Sequence, residues 1–190
     1  MPHINVDSSL PGIRALLAFS PDTATPLGDL ANVLLRTGDG LSMADRELIA
    51  AHVSYLNDCF YCHQSHGAIA ACYLDGNQEL VEQVTKDFEQ ASISEKLKAL
   101  LTIAGSVQKG GKHVSPEQIE AAKNMGASDM DIHDTVLIAA AFCMFNRYVD
   151  GLGANTPSDL NSYHLRAKQV AGNGYGNYIF STKQPTHENL

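Results

Sequence analysis

Three residue types that can do redox chemistry stand close together in the stretch Glu47 to His66, ELIAAHVSYLNDCFYCHQSH. Cys59, Cys62 and His66 fall at positions i, i+3 and i+7. At about 100° per residue, a helix over this stretch puts Cys62 near 300° and His66 near 340° from Cys59, all within about 60° on one face. Cys62 and His66, four apart, are direct neighbours on such a helix. The thiolate is the reactive form of cysteine, and a helix N-terminus stabilises it through its partial positive charge. A neighbouring imidazole can accept the thiol proton. A second thiol one turn away can attack a sulfenic acid or a mixed disulfide and close a disulfide.

The elements around this stretch must hold it in place. Ser42 with Asp45 three residues on forms a capping box that opens a helix running to about Asn57. Leu48, Ile49, His52, Val53 and Leu56 follow helical spacing along it. Asn57-Asp58 breaks the pattern, and a second helix is expected from Cys59 to about Leu74, before Asp75-Gly76-Asn77. If Asn57-Asp58 is a tight turn, the two helices run antiparallel. At about 1.5 Å per residue, Glu47 and His66 then lie about 16 and 12 Å from the turn, so Glu47 reaches His66 directly or through one water. A proton relay Glu47–His66–Cys62 follows. Cys59, nearer the turn, is expected to be the easier thiol for a partner to reach.

Other uses of these residues are weaker readings. Cys59, Cys62, His66 and either His52 or His63 could ligate zinc, but no second Cys-x-x-Cys or His-x-x-x-His completes a site. Cys59-Phe60-Tyr61-Cys62-His63 has the form of a c-type haem attachment motif, which is used outside the cytoplasm. No cofactor and no metal are therefore expected. His52 lies on the apolar stripe and reads as a hydrogen-bonded core residue. Cys72 and Cys143 sit in apolar surroundings and read as buried and inert. Asn146 and Asp150, one turn apart, could cap a helix or line the pocket, and a structural role is favoured. His113 and His133 read as surface residues.

The rest of the chain reads as all-α. No segment alternates convincingly with period two. Residues 1 to 23 look like an irregular arm with a short apolar patch, Ile13 to Phe19. Pro26 to Arg36 forms a first helix, stopped by Gly38 and Gly40. Ser92 with Glu95, Ser115 with Gln118 and Ser128 with Asp131 open three further helices. The last is apolar almost all round from Val136 to Phe145 and should be the central buried helix. Helical hairpins thus make a core over 41–155, with an N-terminal arm and first helix over 1–40 and a C-terminal tail over 156–190. A further helix fits Ser158 to Val170, and Tyr163, Tyr175, Tyr178 and Phe180 are scattered through the tail.

Composition excludes several function classes. The chain has 190 residues, 13 basic against 21 acidic, and a formal net charge of −8. With no basic run, neither nucleic acid nor an anionic membrane surface is an expected partner. The first residues, MPHINVDSSL, lack the basic start and apolar stretch of a signal peptide. The expected compartment is the cytoplasm, where a close cysteine pair is catalytic, redox-active or metal-binding rather than a structural disulfide.

The motif Glu47, Cys59-Phe-Tyr-Cys62, His66, within RELIAAHVSYLNDCFYCHQSHGA, resembles the alkyl hydroperoxidase D-like (carboxymuconolactone decarboxylase) family. It and the later AAAFCMFNRYVDGLG look like the peroxidase-related branch, and the resemblance covers about residues 41 to 155. It implies an all-α fold assembling as trimers or hexamers. It also implies a thiol peroxidase in which Cys62 attacks a hydroperoxide, Cys59 resolves, Glu47 and His66 relay protons, and a dithiol or disulfide reductase donates electrons. The best-studied members carry a His directly before the second cysteine; this chain has Tyr61, and His63 could substitute in part. A decarboxylase or lactone-cleaving enzyme on the same fold, and a non-catalytic disulfide relay for another peroxidase, are the alternatives.

Overall fold

A computed structural model gives the architecture; it describes residues 1–37 and 40–175. The described residues form α-helices and one short 3-10 turn, without strands. The order is α1 (Ile13–Phe19), α2 (Pro21–Arg36), α3 (Met43–Leu56), α4 (Phe60–Tyr73), α5 (Gln78–Asp87), α6 (Glu95–Lys109), α7 (Pro116–Asn124), α8 (Asp129–Gly151) and α9 (Leu160–Asn173).

Local chemistry explains most of the boundaries. Ser42, Ser115 and Ser128 cap α3, α7 and α8, each accepting from the backbone N–H three residues on. Asp58 takes a left-handed conformation (φ 57°) that lets α3 turn into α4 within three residues. Three expectations are corrected. The patch Ile13 to Phe19 is a helix, not an irregular arm. The next helix starts at Pro21, where a missing N–H costs nothing, and Pro26 sits inside it. α6 is capped by Ser94 rather than Ser92, its hydroxyl accepting from the Leu97 N–H.

Two large packed clusters result, beside a small one of Leu17 and Ala24. The larger is built on α3, α6 and α8 and includes Ile49, Val53, Leu100, Ile103, Ile138 and Phe142. α8 is central but not sheathed all round, since Leu137 and Met144 are exposed. The smaller cluster joins Leu16 of α1, Cys59, Tyr61, Cys62 and Ile69 at α4, Val149 of α8, and Tyr163, Ala167 and Val170 of α9. α9 lies against α4, and Arg36 fastens it by donating to the Val170 and Ala171 carbonyls and to the Tyr73 hydroxyl. The readings of Gly38, Tyr178 and Phe180 lie outside the described residues.

Candidate active site

The α3–α4 hairpin brings Glu47 level with His66, as the spacing required. His66 Nδ1 is 2.7 Å from Glu47 Oε2. Glu47 is fully buried, so its carboxylate needs partners on both oxygens. The second is Tyr175, whose hydroxyl donates to Glu47 Oε1 at 2.6 Å and lies 3.2 Å from His66 Nδ1. The Tyr175 ring also stacks on the imidazole, with centroids 5.9 Å apart, and Phe142 meets the imidazole edge-on at 4.5 Å. Burial, and then the Glu47 charge, hold the Tyr175 phenol well above its usual range, so it stays a donor. With the carboxylate as acceptor, the imidazole proton belongs on Nδ1, which leaves Nε2 as the basic nitrogen.

Tyr175 was not among the residues singled out for chemistry. It stands just past α9, 109 positions from His66. Its backbone N–H donates to Asn32 Oδ1 at 2.8 Å, which pins it to α2.

The two thiols stand at the start of α4. Cys59 is the N-cap residue, in an extended conformation, and Cys62 lies in the first turn. Cys59 is 0% exposed and Cys62 4%, so Cys59 is not the more accessible of the pair. Both are free thiols, packed in the same cluster. The neighbouring Cys59 thiol, then burial, push the Cys62 thiol well above its usual range. The amide of Asn146 works in the opposite direction. No hydrogen bond joins His66 to Cys62 among the described residues; His66 sits one turn further along α4.

Asn146 does more than cap or fill. It is buried, donates to Ser54 Oγ at 3.0 Å, and accepts from Asn57 Nδ2 at 2.8 Å, while Gln108 donates to Asn57 Oδ1 at 3.0 Å. Asn57, Asn146, Arg147, Asp150 and Gly151 line an open pocket of about 400 Å³. Asn146 and Asp150 both line this pocket, and Asn146 at the same time ties α8 to α3 and to the α3–α4 turn, the structural role favoured from sequence. The reason is the packing of α8 across the α3–α4 turn, which no local pattern encodes.

The remaining candidates lie off the reacting groups. Tyr61 is buried in the smaller cluster, with its hydroxyl bonded to Ser65 and its pKa pushed up to about 12 by burial. It is no base at neutral pH. Gly12 (φ 55°) packs so tightly on it that a Cβ there would fall 2.1 Å from the Tyr61 ring. His63 Nδ1 lies 3.3 Å from the Ala51 carbonyl, so the ring is engaged by α3. His52 is buried with Nδ1 unpartnered, and burial pulls its pKa down to about 4. Cys72 and Cys143 are half-buried rather than core thiols. His133 is exposed and sits 3.0 Å from Asp134 Oδ1, and His113 is exposed.

The model of the carboxymuconolactone decarboxylase family matches residues 21–82, which span α2 to α4 with both cysteines, Glu47 and His66. A peroxidase-related protein from Ralstonia eutropha JMP134 with an alkylhydroperoxidase AhpD core superposes with a TM-score of 0.74, at 28% identity over 84% of this chain and 82% of that one. Over residues 21–82 the chain is similar to the carboxymuconolactone decarboxylase family, and its fold is AhpD-like. Its AhpD-like fold is shared with a peroxidase-related protein from Silicibacter sp. TM1040 (TM-score 0.72, 26% identity, 81% and 78% covered). A debrominase at 18% identity has the same fold (TM-score 0.70, 83% of each chain covered). No curated protein matches the chain. These similarities support a peroxidase-related or decarboxylase-like role. No helix among the described residues is long and apolar enough to cross a membrane.

Proposed function

We propose that this AhpD-like protein is a thiol-dependent peroxidase. One observation carries the reading: two free thiols close together at a helix N-terminus, with a buried carboxylate–imidazole pair one turn further on. Cys62, as thiolate, attacks a hydroperoxide oxygen; the O–O bond breaks, an alcohol leaves, and Cys62 becomes a sulfenic acid. His66 takes the Cys62 proton on Nε2, and Glu47 stabilises the imidazolium. Cys59 then attacks the sulfenic sulfur, releasing water and closing a Cys59–Cys62 disulfide. A dithiol or a disulfide reductase restores the two thiols. The raised pKa of Cys62 fits a resting dithiol that is activated only when a base accepts its proton. A decarboxylase has no use for two thiols in contact, which disfavours that alternative.

The test is thiol counting by intact mass after alkylation, before and after one equivalent of hydroperoxide. Wild type should lose two alkylatable thiols to a disulfide, and only Cys59→Ser should accumulate a trappable sulfenic acid. Thiols untouched by peroxide would overturn the reading. We also propose a cytoplasmic trimer or hexamer; the exposed apolar side chains Phe19, Val33 and Met144 support assembly.

A further inference from the structure

α8 has two apolar faces, and the chain itself uses one of them. Ile132, Ile138, Phe142 and Val149 are buried in the packed clusters. On the other side Met130, Leu137 and Met144 are exposed to 57%, 41% and 44%, at intervals of seven residues. His133, Ala140 and Arg147 are also exposed, so the exposed line steps by 3, 4, 3, 4 and 3 residues. That is the a/d spacing with which one helix packs along another, each side chain entering a hole on its partner. Met130, Leu137 and Met144 take the a positions, and His133, Ala140 and Arg147 the d positions. A solvated face is polar, whereas here the two ends of the line carry the charge and its middle is apolar.

We infer that this face pairs with α8 of a second copy, antiparallel about a two-fold axis, and that the partner closes the pocket beside the cysteine turn. Reversing one helix sets its d positions against the a positions of the other, and one register uses the whole line. Leu137 meets the partner's Ala140, Met144 meets the partner's His133, and Met130 meets the partner's Arg147. Large faces small at the centre. Further out a thioether meets an imidazole ring, and an arginine stem lies along a methionine. Charge selects the direction. Arg147 comes beside Asp129 of the partner subunit, in the acidic first turn of that helix, whereas a parallel pair sets Arg147 against its own copy. The two-fold axis makes every contact twice. Arg147, Asp150 and Gly151 line the open pocket together with Asn57, which stands two residues before Cys59. In this register the partner's Met130 lies over that pocket. A single copy therefore lacks one wall of it, and the second copy supplies that wall. A trimer has no such axis; a hexamer of two trimers does.

The pairing is independent of the reaction the thiols perform, and mass and linkage read it without an activity assay. In a Cys72→Ser/Cys143→Ser background, Met130→Cys and Arg147→Cys are made singly and together. Each is treated with a bismaleimide much shorter than the roughly 26 Å that separates the two positions along one helix. The double variant should give covalent dimers linked 130 to 147 by peptide mapping, and the single variants none. In sedimentation velocity, wild type should be an even-numbered assembly. Leu137→Glu should have half that mass with its helical circular dichroism kept. A wild-type monomer or trimer overturns the inference, and the monomer leaves the exposed line to a different protein. So does a folded Leu137→Glu at the wild-type mass, or a double variant that forms no 130–147 link. If Leu137→Glu does not fold, the cross-linking result decides alone.

Discussion

Glu47 and His66 could be paired from sequence because their geometry is local. Two helices joined by a tight turn are antiparallel, and residues at similar distances from the turn must be level. Tyr175 could not be found that way, since its contact with Glu47 spans 128 positions and depends on how α9 returns across α4. Yet it supplies one of two partners to a fully buried carboxylate. Tyr175→Phe keeps the ring stacked on His66 and removes only the O–H. Losing a hydrogen bond to a buried charged group should cost about 1.5–3 kcal/mol in urea denaturation. Because the phenol acts through Glu47, its effect should largely vanish in a Glu47→Gln background. A double-mutant cycle in which the two losses simply add would show that the contact does not stabilise the buried charge.

At the scale of elements, helix starts were the most legible feature. Ser42, Ser115 and Ser128 each cap where the pattern placed them. At Ser115 and Ser128 a full capping box satisfies two orphan N–H groups with two side chains, while at Ser42 the hydroxyl accepts from the Asp45 N–H and donates to the Asp45 carboxylate. Where two serines competed, at positions 92 and 94, the pattern chose wrongly, since either can precede an acidic residue at the helix start. α5 went unread: it is short and polar, with little more than Val81 and Val84 buried, so its existence depends on docking. The decisive joint is the turn between α3 and α4. Asp58 sits at φ 57°, where a β-branched residue is strained. Asp58→Gly should leave stability within about 1 kcal/mol of wild type, since glycine accepts this conformation freely. Asp58→Val should cost about 1–3 kcal/mol and pull Glu47 and His66 out of register. Equal stabilities of the two variants in urea titrations would show that the turn does not depend on this backbone conformation.

For the whole molecule, acid stability follows from His52, which sits in the middle of α3. One imidazole nitrogen has no partner, Phe88 meets the ring edge-on, and the interior leaves no room for charge. Burial lowers the pKa to about 4 from the ordinary 6.5, so the folded protein binds this proton less readily than the unfolded chain. Stability from this site is therefore complete above about pH 6.5 and is lost as pH falls towards about 4. A shift of this size corresponds to about 3 kcal/mol, a sizeable part of the stability of a single domain. Wild type should lose about that much between pH 7 and pH 4 by chemical denaturation, beyond what the carboxylates contribute. His52→Gln, which cannot be protonated, should be less stable at pH 7 but flatter with pH. If wild type and His52→Gln fall in parallel across that range, the buried imidazole is not what makes the fold acid-sensitive.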